Sequence, residues 1–147
     1  MDISRKKTLI FLWIAALWIA CVILGSSGHF VLGMVLSVPL IGLHLMLGVA
    51  KRGVVSKKFL LYPLGIWAAI FIAGFVLCNY FANIFKGMMP SFTVFGLHPS
   101  FAPVIFMYWI GGLLTLSLGY WLYQDEVLTK EEWNAFCKEA KRIKEGK

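Results

Sequence analysis

The sequence predicts an all-α membrane protein, an antiparallel bundle of four transmembrane helices with an amphipathic helix at its C-terminus. Its composition is 60% hydrophobic and 14% charged, whereas soluble domains are about half apolar and a quarter charged. Its mean hydropathy is positive, at +0.80. Residues 8–50 and 59–85 contain no Asp, Glu, Lys or Arg. Uncharged apolar runs of this length are typical of membrane spans.

Four spans divide the transmembrane domain, residues 8–123, at about 8–25, 29–50, 59–85 and 104–123. At 1.5 Å per residue the first span is roughly 27 Å long, which is enough to cross the hydrocarbon layer. The third span is longer than that layer, so we expect it to tilt or to project from the lipid. Spans three and four are joined by an apolar outer loop, residues 86–103, which is rich in Phe, Met and Pro.

The basic residues predict the orientation. Of the fourteen Lys and Arg residues, only Lys86 lies in the outer loop. The others lie in the N-terminal segment 1–7, in the loop between spans two and three, and in the tail 124–147. The positive-inside rule then places both termini in the cytoplasm. The net positive charge is therefore a topology signal, and no basic pattern indicates nucleic-acid binding.

The tail is predicted to form a separate cytoplasmic helix. Thr129 and Glu132 have the spacing of a capping box. Apolar residues then recur on one helical face, which must lie on the membrane surface or pack against another protein: Trp133, Phe136, Cys137, Ala140 and Ile143. The T-x-E-E start resembles short C-terminal modules of many bacterial membrane proteins. That resemblance is confined to a short part of the tail and implies no activity. The expected location of the protein is the bacterial inner membrane, with both termini in the cytoplasm.

Small residues at four-residue steps predict which helices pack closely. Span three has Gly65, Ala69 and Ala73, and span four has Gly111, Thr115 and Gly119. Such stripes allow two helix backbones to approach closely in lipid. We therefore expect spans three and four to pack along these faces. The alternative is that the stripes contact another copy or another subunit.

The histidines raise the possibility of a redox cofactor. His29 and His44 lie on span two, separated by about 22 Å of helix rise. This arrangement resembles the helices of di-haem b-type cytochromes, in which one helix provides ligands near both membrane faces. Two bis-histidine haems need four imidazoles, and this chain has three. A single haem b between His29 and His98 is one hypothesis.

A quinone site is a second cofactor hypothesis. It would be formed near the outer face by His29, His98, Asn79 and Tyr80. His44 is a further candidate because an ionisable residue within the hydrocarbon is costly. The remaining interpretation is that His29 and His98 rest at the interface and that His44 bonds to a neighbouring helix.

The leading functional hypothesis is a structural or regulatory subunit of a larger membrane complex. Because the four spans carry no Asp, Glu, Lys or Arg and the chain has no C-x-x-C motif, we predict no catalytic residues and no metal site. The expected partners are the lipid bilayer and other membrane subunits, or further copies of the chain. Two alternatives stay open: a redox membrane anchor with one haem b or a quinone near the outer face, and a homo-oligomeric transporter or channel for small solutes.

Overall fold

A computed structural model describes residues 2–51 and 53–146 of the chain. It is all-helical, with 77% helix and no strand among the described residues. Four helices are long and apolar enough to cross a membrane. They are α1 (Lys7–Ser26), α2 (Phe30–Gly48), α3 (Lys57–Ile84) and α4 (Val104–Leu122). A short helix α5 (Gln124–Val127) and the tail helix α6 (Lys130–Glu145) follow.

The four long helices pack in chain order. The largest contacts join α1 to α2, α2 to α3, and α3 to α4. The core is formed where they meet, by Ile10 and Ile14 of α1, Val38 of α2, and Trp67 and Phe71 of α3. The two central helices, α2 and α3, therefore pack on both flanks, whereas the outer helices leave most of their apolar surface exposed. Exposed apolar helices of this length require lipid or a partner around them.

The contact between α3 and α4 sets glycine against bulky side chains. Gly111, Thr115 and Gly119 of α4 are all buried. A Cβ atom on Gly119 would overlap the ring of Pro63, and one on Gly111 would come within 2.9 Å of the Ile70 side chain. The Thr115 hydroxyl donates to the Gly111 carbonyl at 2.7 Å, so this buried polar group is satisfied within its own helix.

The structure corrects the predicted face of α3. Gly65, Ala69 and Ala73 are exposed and do not form the contact with α4. The face of α3 that meets α4 instead carries Pro63 and Ile70. The physical reason is that a groove lined by glycine on one helix is filled best by large side chains on the other. Small residues on both helices are not needed.

The two long helices at this contact are locally wound as π-helix. The π-turns span Leu60–Gly65 in α3, and Val104–Ile110 and Leu113–Ser117 in α4. Pro63 lies inside the first of them. Proline cannot donate the usual helical hydrogen bond, and wider turns accommodate the local mismatch. Pro63, inside the first π-turn, packs against Gly119 of α4.

One end of the helix row, here called the basic end, joins the N-terminal segment and the start of the tail to the loop between α2 and α3. The Ile3 N–H donates to the Gly53 carbonyl at 2.7 Å, and the Ile3 side chain is fully buried. Val55 and Phe59 are also buried, and the Phe59 ring packs edge-on against Tyr120 of α4. The N-terminal segment is thus a packed part of the fold.

The tail helix begins at the capping box that the sequence predicts. The Glu132 N–H donates to the Thr129 hydroxyl at 3.3 Å, and the Thr129 N–H donates to the Glu132 carboxylate at 3.1 Å. Lys51 lies 2.7 Å from the same carboxylate and ties the tail to the loop before α3. The hydrogen bond from Lys51, followed by the bond from the Thr129 backbone, lowers the pKa of Glu132 from 4.5 to about 2.

We expect Gly119→Ala to lower the free energy of unfolding by about 1–3 kcal/mol, because the new methyl group would overpack against Pro63. Circular dichroism of detergent-solubilised protein during thermal unfolding would measure it. Gly42→Ala is the matched control, since a Cβ atom there meets open space. Equal stability of the two variants would contradict the described contact.

Lowering the pH should destabilise the first turn of the tail helix. Because the pKa of Glu132 is depressed in the folded protein, its stabilising contacts are complete above about pH 4.5 and are lost as the pH falls towards about 2. Amide resonances of Thr129 and Glu132, followed by NMR in micelles, should shift within this window. Glu132→Gln should abolish the transition, whereas Glu131→Gln should retain it. A transition that persists in Glu132→Gln would assign it to another group.

Candidate functional site

The polar residues predicted to bind a cofactor are divided among several surroundings, one of which contains two of them. His29 and Asn79 line one groove at the end of the row opposite the basic end, here called the loop end. Tyr80 packs edge-on against Phe81, with ring centroids 5.4 Å apart. His98 packs against Phe85, with centroids 5.9 Å apart. His44 lines a different cavity, towards the basic end.

His98 is held by the loop that contains it. The Ser100 backbone N–H donates to His98 Nδ1 at 3.2 Å, and the Ser100 hydroxyl lies 2.8 Å from the same nitrogen. Since Nδ1 accepts a hydrogen bond, the neutral ring carries its proton on Nε2. A haem iron needs an unprotonated ring nitrogen. In this arrangement His98 serves to order the turn that leads into α4.

His44 contributes a hydrogen-bond acceptor to an otherwise largely apolar cavity. The cavity has a volume of about 490 Å³ and is lined by residues of α1 and α2 and by Tyr120 of α4. His44 Nδ1 lies 2.8 Å from the Leu40 carbonyl. Because a carbonyl can only accept, Nδ1 is the donor and Nε2 keeps its lone pair. Such a cavity can bind an amphiphilic molecule that carries a hydroxyl group.

On the exposed side of α3, a regular spacing of residues extends beyond the small residues. Exposed residues recur at alternating steps of four and three, and we call this set the α3 seam: Gly65, Ala69, Ile72, Val76, Asn79 and Asn83. A spacing of 3.5 residues is typical of a helix that packs along another helix. The side-chain amide of Asn83 donates to the Asn79 side-chain oxygen at 3.2 Å. Because both residues are exposed, the amide hydrogens of Asn79 and the side-chain oxygen of Asn83 stay accessible for further hydrogen bonds.

Sequence reasoning missed three residues of the α3 seam: Ile72, Val76 and Asn83. The signal was present, because the alternating spacing can be read directly from residues 65–83. The search for small residues alone stopped at Ala73. Asn79, which is also a candidate for the quinone site, has its side chain beside Asn83.

The predicted apolar face of the tail helix is exposed. Trp133, Phe136, Ala140 and Ile143 are all accessible, and the rings of Trp133 and Phe136 stack with centroids 5.8 Å apart. The ion pair between Lys51 and Glu132 joins the first turn of α6 to the loop before α3, and the apolar face beyond that turn stays exposed. The face is thus available for lipid or for a partner.

Comparison with protein-family models, with curated proteins and with solved structures finds no match to this chain. Among the described residues, no group of three or more His, Cys, Asp or Glu side chains is placed to hold a metal ion. The candidate sites must therefore be judged by their own chemistry. Of these, the α3 seam combines the longest regular pattern with polar groups that face out of the chain.

We expect purified protein from iron-replete cells to show no Soret band of haem b, because the hydrogen bonds at His98 leave its Nε2 protonated. An absorption spectrum before and after reduction measures this directly. Ser100→Ala, which removes one of the two groups that hold Nδ1, should give the same spectrum. A Soret band that disappears in both His29→Ala and His98→Ala would contradict this expectation and support the haem hypothesis.

Proposed function

We propose that the protein is a structural or regulatory subunit of a larger membrane complex, and that it joins its partner through the α3 seam. The observation that carries the proposal is the exposure of six residues at heptad spacing on one of the two central helices. Both flanks of α3 are already covered, by α2 and by α4. A helix that covers the seam would therefore come from another chain.

The chemistry of the seam supports a helix as the partner. Gly65 and Ala69 permit close approach of two backbones, and helix association in lipid relies on such packing. Asn79 and Asn83 lie towards the loop end of the seam, where their outward amide groups can exchange hydrogen bonds with a second helix. Such bonds between helices in a membrane contribute about 0.6 kcal/mol each on average. Lipid chains cannot supply them.

The orientation and location belong to the same proposal. The positive-inside rule supports a cytoplasmic basic end and, with it, cytoplasmic N- and C-termini. The loop end, with Asn79 and Asn83, would then lie near the outer face. We propose the cytoplasmic membrane of a bacterium as the location. The redox-anchor hypothesis and the transporter or channel hypothesis stay predictions, because no observation favours either over a subunit role.

Ala69→Leu should weaken the association by about 1–2 kcal/mol, because a bulky side chain would separate the two backbones at the seam. After extraction in a mild detergent, size-exclusion chromatography with light scattering should show an assembly for the natural chain and a smaller species for the variant. Mass spectrometry of the assembly would identify a second subunit or a second copy.

Ala16→Leu is the matched control, because it makes the same change at an exposed position of α1. This variant should retain the assembly. Asn79→Leu tests the polar part of the seam without blocking close approach. A natural chain that elutes as a lone monomer, or equal loss of the assembly in the α1 and α3 variants, would overturn the proposal.

A further inference from the structure

We infer that α6 binds the membrane surface at the basic end, with its apolar face in the lipid and its lysines on anionic headgroups. This inference does not depend on the association of α3. It commits to lipid as the occupant of the exposed face of the tail helix. Three observations carry it: where the helix is held, what its face contains, and how its charges are paired.

The start of α6 is held close to the ends of the transmembrane helices. Helix α4 ends at Leu122, and α6 begins at Lys130. The ion pair between Lys51 and Glu132, at 2.7 Å, fixes the first turn of α6 beside the loop that joins α2 to α3. That loop connects two membrane spans, so the first turn of α6 lies at the level of the headgroups. The sixteen-residue helix is long enough to reach about 24 Å along the surface.

The apolar face has the composition of an interfacial helix. The side chains of Trp133, Phe136 and Ile143 are 52%, 63% and 61% exposed, and they follow one another along a single stripe. The indole and phenyl rings are stacked and present one continuous aromatic surface. Aromatic rings of this kind favour the boundary between headgroups and acyl chains. The stripe thus matches lipid at the depth where α6 is held.

The pairing of charges on α6 leaves a basic excess. Glu132 bonds to Lys51, and Glu139 lies 3.8 Å from Arg142. Within the described part of the chain, no carboxylate pairs with four lysines of the helix, namely Lys130, Lys138, Lys141 and Lys144. By a rotation of 100° per residue, Lys130 and Lys141 border one edge of the apolar stripe, and Lys144 lies next to that edge within the last turn of the helix. From there their long side chains can reach headgroups while the stripe is in the lipid.

The native Cys137 provides a probe on the apolar face. In a Cys21→Ala, Cys78→Ala background, the full chain would be labelled at Cys137 with an environment-sensitive fluorophore and reconstituted into phosphatidylcholine vesicles with or without phosphatidylglycerol. We expect a blue-shifted emission, with several-fold stronger quenching by spin-labelled lipid than by aqueous iodide. The lipid quenching should increase with phosphatidylglycerol and decrease at high salt.

The matched control moves the label to the polar face, as Lys138→Cys with Cys137→Ala, where iodide should quench several-fold better than spin-labelled lipid. Phe136→Glu with the label at Cys137 should reverse the pattern at that site, and circular dichroism would verify that α6 still forms. Equal iodide quenching at both positions would overturn the inference. Shielding of Cys137 without lipid quenching, accompanied by crosslinking to another polypeptide, would also overturn it and assign the face to a protein.

Discussion

Every element of this fold depends on one constraint: a helix in lipid must satisfy its own backbone hydrogen bonds. Each long helix does so by itself, and the choice of neighbours is then left to side chains. Water does not drive helices together inside a bilayer, so close packing and a few polar contacts must do so. The fit of Gly119 against Pro63 and of Gly111 against Ile70 shows how this chain meets that need. The Thr115 hydroxyl bonds to its own helix, and the Tyr62 hydroxyl donates to the Leu114 carbonyl at 3.4 Å across the α3–α4 contact.

The same constraint gives the α3 seam its significance. Asn79 and Asn83 satisfy part of their hydrogen bonding with each other, and the remainder faces out of the chain. Outward amide groups on a helix that crosses lipid carry a cost unless a partner or interfacial water meets them. Residues 65–76 of the seam are small or apolar and present no such cost. A second helix in register would meet both halves at once, through close packing at one end and hydrogen bonds at the other.

The spans could be predicted from the sequence because hydropathy acts over a whole helix and needs no knowledge of its neighbours. The capping box at Thr129 and Glu132 could be predicted because it depends on four consecutive residues. The rotation of α3 about its own axis could not be predicted. Gly65 and Ile70 both belong to an uncharged apolar run, and only the surface of α4 determines which of them faces α4. The surroundings of His98 depend on the fold of its loop, where Ser100 provides the decisive hydrogen bonds. Residue type alone made His98 a ligand candidate, and its neighbours decide which nitrogen carries the proton.

The α3 seam and the apolar face of α6 are connected through ion pairs. For the proposed regulatory subunit, this connection offers a physical path between the two surfaces. The tail helix bonds to Lys51, and a second ion pair brings Lys58 within 4.0 Å of Glu126. Both lysines precede Phe59, which is buried at the start of α3 and packs against Tyr120. If α6 binds the membrane surface as inferred, a force on it would reach the loop before α3 through the ion pair of Lys51 with Glu132. Because packed helices shift as rigid elements, a change in the attachment of the tail can alter the position of α3 without unfolding it.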